Sequence, residues 1–508
     1  MVDWDADGAF DGVGDVGEDI TSRTFRIEWR RGRDFASQLT GRASGGRLFA
    51  TVNNNSGDYS SFKTTSPIFG NVLPGRKVRL TATDGSGTVT MWQGFLESLI
   101  PQPSLHGPNL ALLEAVGPLA WLNQRFISLP MQKNQLTGTI MGAILNEAGW
   151  PAPDRDIDAG STTIKRFPAT GRSRPSDRVR ALDLMRQVEE TEFGFLHESR
   201  DGKVIFESRS RRLSGAYQTS QATFSDTPGA ALTYSEIEQL DPLQLIYNIF
   251  ECPVQLFTEG ALAVLWTLSE SGADSPSIQP GQSRTFITNF LSTNISTFGV
   301  DVWTTPVATT DFLANSIANG SGTNLTSSIG VTAVKNFNHM EITLTNNHAS
   351  LVAFITFLQA RGTPVNKTDL VSITKKNSAS ILKYGERTFN VPALWIPSTD
   401  EAQNYVDYLD IIFSSPLSVV TPTLEANRNA NALSNALRRD ISDRVTVTAS
   451  SKADLGMVAK PGYIEAEHHL ITRDRHHTAI YAIAPVGGFN KAWIMDTDKL
   501  DETTVLFW

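Results

Sequence analysis

Residues 463–485 read YIEAEHHLITRDRHHTAIYAIAP and place four of the chain's eight histidines within ten positions, just after Glu465 and Glu467. Either this is a metal site and the chain an enzyme, or it is two strands and a turn. A two-residue loop at Arg473-Asp474 would set His468 opposite Ala479 and His477 opposite Leu470 on one side of a hairpin. His469 would then face Thr478, and His476 would face Ile471, on the other side. Side chains alternate across a strand, so this register divides the histidines into two pairs on opposite faces. A closed four-ligand zinc site cannot form locally that way. No cysteine stands nearby, and histidines at i and i+4 on a helix are missing. The stretch predicts a hairpin whose polar residues sit at a wet surface or subunit contact. A two-histidine metal site completed by a neighbouring chain is the alternative.

Working outward, 508 residues are too many for one core and should divide into roughly three or four domains. Hydrophobic content of 40%, charge of 19%, and 38 Gly with 24 Pro suit a globular chain rich in strands and turns. Cys252 is the only cysteine, which excludes an intrachain disulfide. A net charge of −9 argues against non-specific affinity for nucleic acid, which needs a basic footprint. The opening MVDWDADGAF lacks the basic and apolar regions of a secretory signal, and no run of 18 uncharged apolar residues could span a bilayer. A soluble protein made in a cytoplasm is expected.

Residues 1–20 read as an acidic N-terminal arm. In TFRIEWRRGRDF, Phe25, Ile27 and Trp29 alternate with Arg26, Glu28 and Arg30, the period of a half-buried strand. Further short strands with turn signals predict a small antiparallel barrel or sandwich over 21–125. An α+β unit follows over 126–224. Its helices are LTGTIMGAILNEAGWP, with Thr137 as N-cap, and PSDRVRALDLMRQVEETEFG, ended by Gly194. Its hairpin turns at Asp201-Gly202. From 252 onward Thr, Ser and Asn rise, and the alternation in HMEITLTNNHASLVAFITFLQARG predicts an immunoglobulin-like β-sandwich, 252–379. Ser398 and Glu401 form a capping box for a helix carrying Tyr405, Tyr408, Leu409 and Ile412. The fold class is mainly β with α+β parts, in several domains.

Few residues suggest chemistry. Asp3, Asp5, Asp7, Gly8 and Asp11 match positions of a calcium loop, whose oxygen ligands stand at odd spacing around a glycine turn. Gly14, however, replaces the bidentate glutamate, and no amphipathic helix flanks the loop. A solvated acidic arm is the plainer reading, with Asp15 a substitute ligand if calcium binds. Arg26, Arg30, Arg31 and Arg33 make a basic patch, either solvated and ion-paired or a contact for an acidic partner surface. There is no nucleophile elbow, phosphate loop or dinucleotide fingerprint, so no enzyme is predicted. Cys252 reads as a buried strand thiol.

One run singles the chain out: DITSRTFRIEWRRGRD, then GRLFATVNNNSGDYSSFKTTSPIFGNVLPGRKVRLTA. It resembles the opening of tail-hub, or minor tail, proteins of tailed bacteriophages and related tail-like particles. The matching positions are Asp19 to Arg23, Arg31 to Arg33, Val52 to Ser60 and Ser66 to Arg79. LTGTIMGAILNEAGWP, RALDLMRQVEETEFGFLHESRDGKVIFESR, DPLQLIYNIF, KYGERTF, EAQNYVDYLD and DISDRVTV continue the resemblance in order along the chain.

The resemblance implies a structural virion protein. Tail hubs are trimers with two related β-barrels per chain, so three chains offer six modules to a sixfold tail tube and a threefold face to a spike or fibre. Here the first barrel would be 21–125. The second would be 225–251 with 380–485 and associated helices, the sandwich being inserted into it. Residues 486–508 are expected to pack on a partner through Trp508. Trp29, Trp92 and Trp395 are either interface anchors or, as is commoner, core. Implied partners are tail tube or distal tail proteins, tip spike or fibre proteins, the tape measure protein and DNA in passage. The implied location is the virion tail tip, assembled in the host cytoplasm. No cofactor is implied beyond the calcium reading. A receptor- or glycan-binding tail tip protein using the sandwich is the alternative, and a hydrolase within the α+β unit a third.

Overall fold

A computed structural model describes residues 1–10, 17–33, 42–167, 178–241, 243–289, 297–336, 339–392, 395–416, 418–486, 492–493 and 505–506. The chain is mainly β, with several sheets and some helices. Asp11 and Trp508 lie outside the described residues. Among those described, no helix is long and apolar enough to cross a membrane.

The largest element is an eleven-stranded sheet built from both ends of the chain. Its first half orders Thr24–Arg33, Ala43–Asn53, Leu110–Val116, Thr88–Gln102 and Lys77–Thr83 side by side. Period-2 alternation turns Trp29, Leu48, Val52, Val78, Trp92, Leu96 and Leu113 to one face, where they share a core. Bulges between Thr24 and Arg26, Leu80 and Thr81, and Leu96 and Ser98 bend the strands around it. The second half orders Ala222–Ser225, Arg444–Ala449, Met457–Ile471, His477–Pro485, Val419–Glu425 and Glu236–Leu240. Phe224, Leu424, Val445, Val447, Ile464, Tyr481 and Ile483 fill its separate core.

The halves join edge to edge. Strand 24–33 runs antiparallel to strand 457–471, from Ile27 opposite Ile471 to Gly32 opposite Ala466. Gly32 has φ +101°, and a Cβ there would lie 2.2 Å from the Glu465 carbonyl oxygen, so only glycine fits this crossing. Helix Ala430–Arg438 lies over the join, sending Leu437 into the first core and Ala432 and Ala436 into the second.

Between the halves, helices Pro118–Asn123, Thr137–Glu147 and Ala181–Glu192 pack with hairpin Phe195–Glu198/Val204–Glu207 around one core. The hairpin turns through Gly202, φ +78°, as its Asp-Gly signal predicts. Thr137 opens its helix but does not cap it; Leu136 is the N-cap, and the Thr137 hydroxyl donates to Glu192 Oε2 at 2.7 Å. The third helix ends at Phe193, left-handed at φ 53°, one residue before the predicted Gly194.

Strand Ile249–Val254 pairs with Val371–Lys376 and Thr388–Asn390 under helix Thr399–Phe413. Ser398 Oγ accepts from the Glu401 amide at 3.2 Å, the expected cap. The reciprocal half of the capping box is replaced, because the Glu401 carboxylate pairs with Arg209 at 2.6 Å. Cys252 is buried here, and burial pushes its thiol up to about 12. From this sheet springs the inserted unit. Strand Ala353–Lys367 carries partners along both edges, and strands Ser283–Asn289, His339–Asn346 and Ile329–Lys335 form a second sheet over a shared core.

The N-terminal stretch is not a free arm. The Val2 amide donates to Glu18 O and the Asp3 amide to Lys77 O, both at 3.0 Å, while Val2, Trp4 and Ile20 enter the first core. Its apolar residues, every second position at the start, outweigh its acidity.

Candidate functional site at the seam between the two β halves

The hairpin of 463–485 forms, but in another register. Its loop is five residues, Thr472–His476, closed by a Thr472 amide to His476 carbonyl bond at 3.0 Å. The ladder shifts by one, so His469 faces Ala479 and His477 faces Ile471. The expected pairs are therefore wrong: His469 and His477 share the inner face. There they are buried rather than wet, with His469 Nδ1 3.0 Å from His477 Nε2. His469 stacks on Trp29, centroids 4.5 Å apart, and meets the Tyr481 ring edge-on at 5.8 Å. His468 turns outward to Glu28 at 3.0 Å, and His476 to Glu425 at 2.6 Å. Burial, then the neighbouring His469 and His476, push His477 down to about 3, so it is neutral at physiological pH.

Beside the histidines lies a buried charge cluster. Arg31 Nε and Nη2 donate to Glu467 Oε1 at 3.0 and 2.6 Å, Nη2 also to Asp440 Oδ1 at 2.8 Å, and Nη1 to the Glu198 carbonyl at 2.8 Å. Burial alone would depress this guanidinium, but Asp440 and Glu467 raise it overall. Arg200 holds the other Asp440 oxygen at 3.0 Å and the Leu437 and Arg438 carbonyls at 2.6 and 2.8 Å. A second group follows: Arg212 pairs with Glu465, donates to Ser442 Oγ at 2.8 Å and lies 3.4 Å from Glu207. His197 and Ser442 complete Glu207 at 3.2 and 2.8 Å. Against its burial, these partners hold Glu207 down to about 2. Glu198 differs. It accepts the Gly46 and Leu119 amides at 2.7 and 2.6 Å, yet burial outweighs them and its pKa is raised. Each carboxylate is committed to a partner, an arrangement that fixes strands rather than activating a proton donor or nucleophile.

Of the basic patch, Arg31 is corrected: its charge is used inside the chain, so it offers no contact surface. Arg33 is half-buried, 3.5 Å from Glu465 and stacked over Phe195 at 3.9 Å. Arg26 is exposed and pairs with Glu28 at 2.8 Å; Arg30 is exposed. Trp29 and Trp92 are core, and Trp395 is half-buried against the α+β core. Asp3, Asp5 and Asp7 do gather, one oxygen from each lying within 4.8 Å of the others. Their carboxylates also close the loop from within. Asp3 takes the Ala6 and Gly8 amides at 2.7 and 3.0 Å, Asp5 the Asp7 amide at 3.1 Å, and Asp7 the Ala9 amide at 2.7 Å. The residues that sequence reasoning missed are Glu198, Arg200, Glu207, Arg212, Asp440 and Ser442. Only Glu198 and Glu207 carried a signal, a charge at the end of the apolar strands FLHE and VIFE.

No family model and no curated protein matches the sequence. In structure the chain is similar to phage tail proteins. It aligns with the 43 kDa tail protein of prophage MuSo2 from Shewanella oneidensis over 91% of this chain and 94% of that one, at 10% identity and TM-score 0.45. With the tail protein from Neisseria meningitidis MC58 the shares are 91% and 92%, at 7% identity and TM-score 0.46. With E. coli c3393, a type VI secretion component described as structurally similar to T4 tail proteins gp27 and gp5, they are 91% and 73%, at 8% and 0.37.

Proposed function

We propose that the chain is a structural, non-enzymatic hub at the distal end of a bacteriophage tail. Three copies adapt a sixfold tube to a threefold tip and form part of the DNA conduit. On this reading each half of the large sheet is a hub-type barrel, 21–125 and 225–251 with 380–485, and the inserted unit is an immunoglobulin-like module. The seam is the observation that supports it. Two β halves of similar strand number, each curled on its own core, are welded edge to edge by paired strands and buried ion pairs. A rigid pair per chain is what lets a trimer present six modules at fixed spacing. The test is native mass spectrometry and negative-stain imaging of the purified chain. A threefold ring is expected. A monomer at all concentrations would overturn the reading.

A further inference from the structure

The inserted unit meets the rest of the chain in an unusual way. It is entered from strand 249–254 and left into strand 371–376, and the ladder breaks between these and the insert. Val254 pairs with Val371 and Phe257 with Lys367, so two residues on one side stand against three on the other. Across the gap the Thr368 amide donates to Leu256 O at 3.1 Å, and Gln255 Nε2 to Thr368 O at 2.7 Å. Among the described residues, the insert's core shares no residue with those of the α+β unit or helix 399–413. At the neck Leu256 packs against the core under helix 399–413, and beyond it the two cores stay separate.

A four-charge cluster spans the junction. Lys133, on strand Gln132–Leu136, lies 2.6 Å from Asp301 and 3.2 Å from Glu259. Arg166, on strand Thr163–Phe167, lies 2.5 Å from Asp301 and also pairs with Glu259. Both cations belong to the α+β unit and both anions to the insert. Asp301 and Arg166 are nearly buried, and Lys133 and Glu259 are about half exposed. A cavity of 440 Å³ opens behind them, lined by Lys133, Lys165 and Arg166 on one wall and by neck residues 255–259 on the other.

We propose that the inserted β unit is a hinged arm, pivoting at the two-strand neck and held in its observed pose by an ionic latch of Lys133 and Arg166 on Glu259 and Asp301. Ion pairs set position without burying apolar area, so breaking them frees the arm and leaves both cores intact. The cavity gives the neck room to bend. The inference is independent of the hub reading.

Spin labels on the whole chain test it, at exposed Gln124→Cys, ending helix 118–123 that packs on the α+β core, and at Thr332→Cys in the insert. The single native thiol, Cys252, is buried and stays unlabelled. The wild-type background should give one narrow distance distribution at low salt. E259Q/D301N should broaden it about twofold, and 1 M NaCl, where the screening length is about 3 Å, should broaden the wild type in the same direction. Lys133→Met, at a half-exposed position, gives the same readout should the double variant fail to fold. A distribution unchanged by salt and by the folded variants overturns the latch.

Discussion

At the seam, strands 24–33 and 457–471 pair from Ile27 to Gly32 while Arg31 and Glu467 sit out of water, with Asp440 half-buried beside them. At the neck, the ladder is broken, and Lys133 and Glu259 stand partly in solvent beside the nearly buried Arg166 and Asp301. Both junctions use Arg–carboxylate contacts, yet they differ mechanically. Paired strands make the seam's charges hold a position already fixed. With the ladder interrupted, the charges at the neck help to decide the position themselves. Ion pairs read alone do not reveal whether a junction is rigid.

The largest effect should come from Arg31→Met, which strands Glu467 in the interior and costs about 3–5 kcal/mol. Urea unfolding measures it, and a loss near zero would put the seam on the same footing as the neck. Next comes pH. His477 has a folded pKa of about 3 against 6.5, so the folded state binds fewer protons. Its contribution is complete above pH 6.5 and is lost as pH falls toward 3, about 2 kcal/mol between pH 7 and pH 5. Glu207 and Glu465, whose pKa values are lowered, act in the same direction only at more acid pH. His477→Asn should flatten the slope in that upper window; an unchanged slope would place the titration elsewhere. The smallest effect should be Lys133→Met, within about 0.5 kcal/mol by the same urea assay. A larger loss would make the neck a load-sharing interface rather than a latch.

Much of this architecture was legible because it is local. Alternation at Phe25 to Arg30, the Asp201-Gly202 turn and the Ser398 cap each act over a few residues. The hairpin at 463–485 was legible as a hairpin. Its register was not, because Arg473-Asp474 reads equally as a two-residue loop or as the centre of a longer one, and one residue decides which histidines meet. The seam was beyond reach for a different reason. Arg31 finds Glu467 across 436 positions of chain, and Glu198 finds Gly46 across 152. No periodicity encodes such meetings. Nor did acidity forecast the fate of residues 1–10, where Val2 and Trp4 govern.

Helix 430–438 has the last consequence. Since Leu437 seals the first core while Ala432 and Ala436 belong to the second, the first half is not watertight without a helix carried by the other. Expressing them as separate fragments would leave one side with an open wound, and heating the intact polypeptide should melt both in a single calorimetric peak. A load on one half is thereby felt by the other.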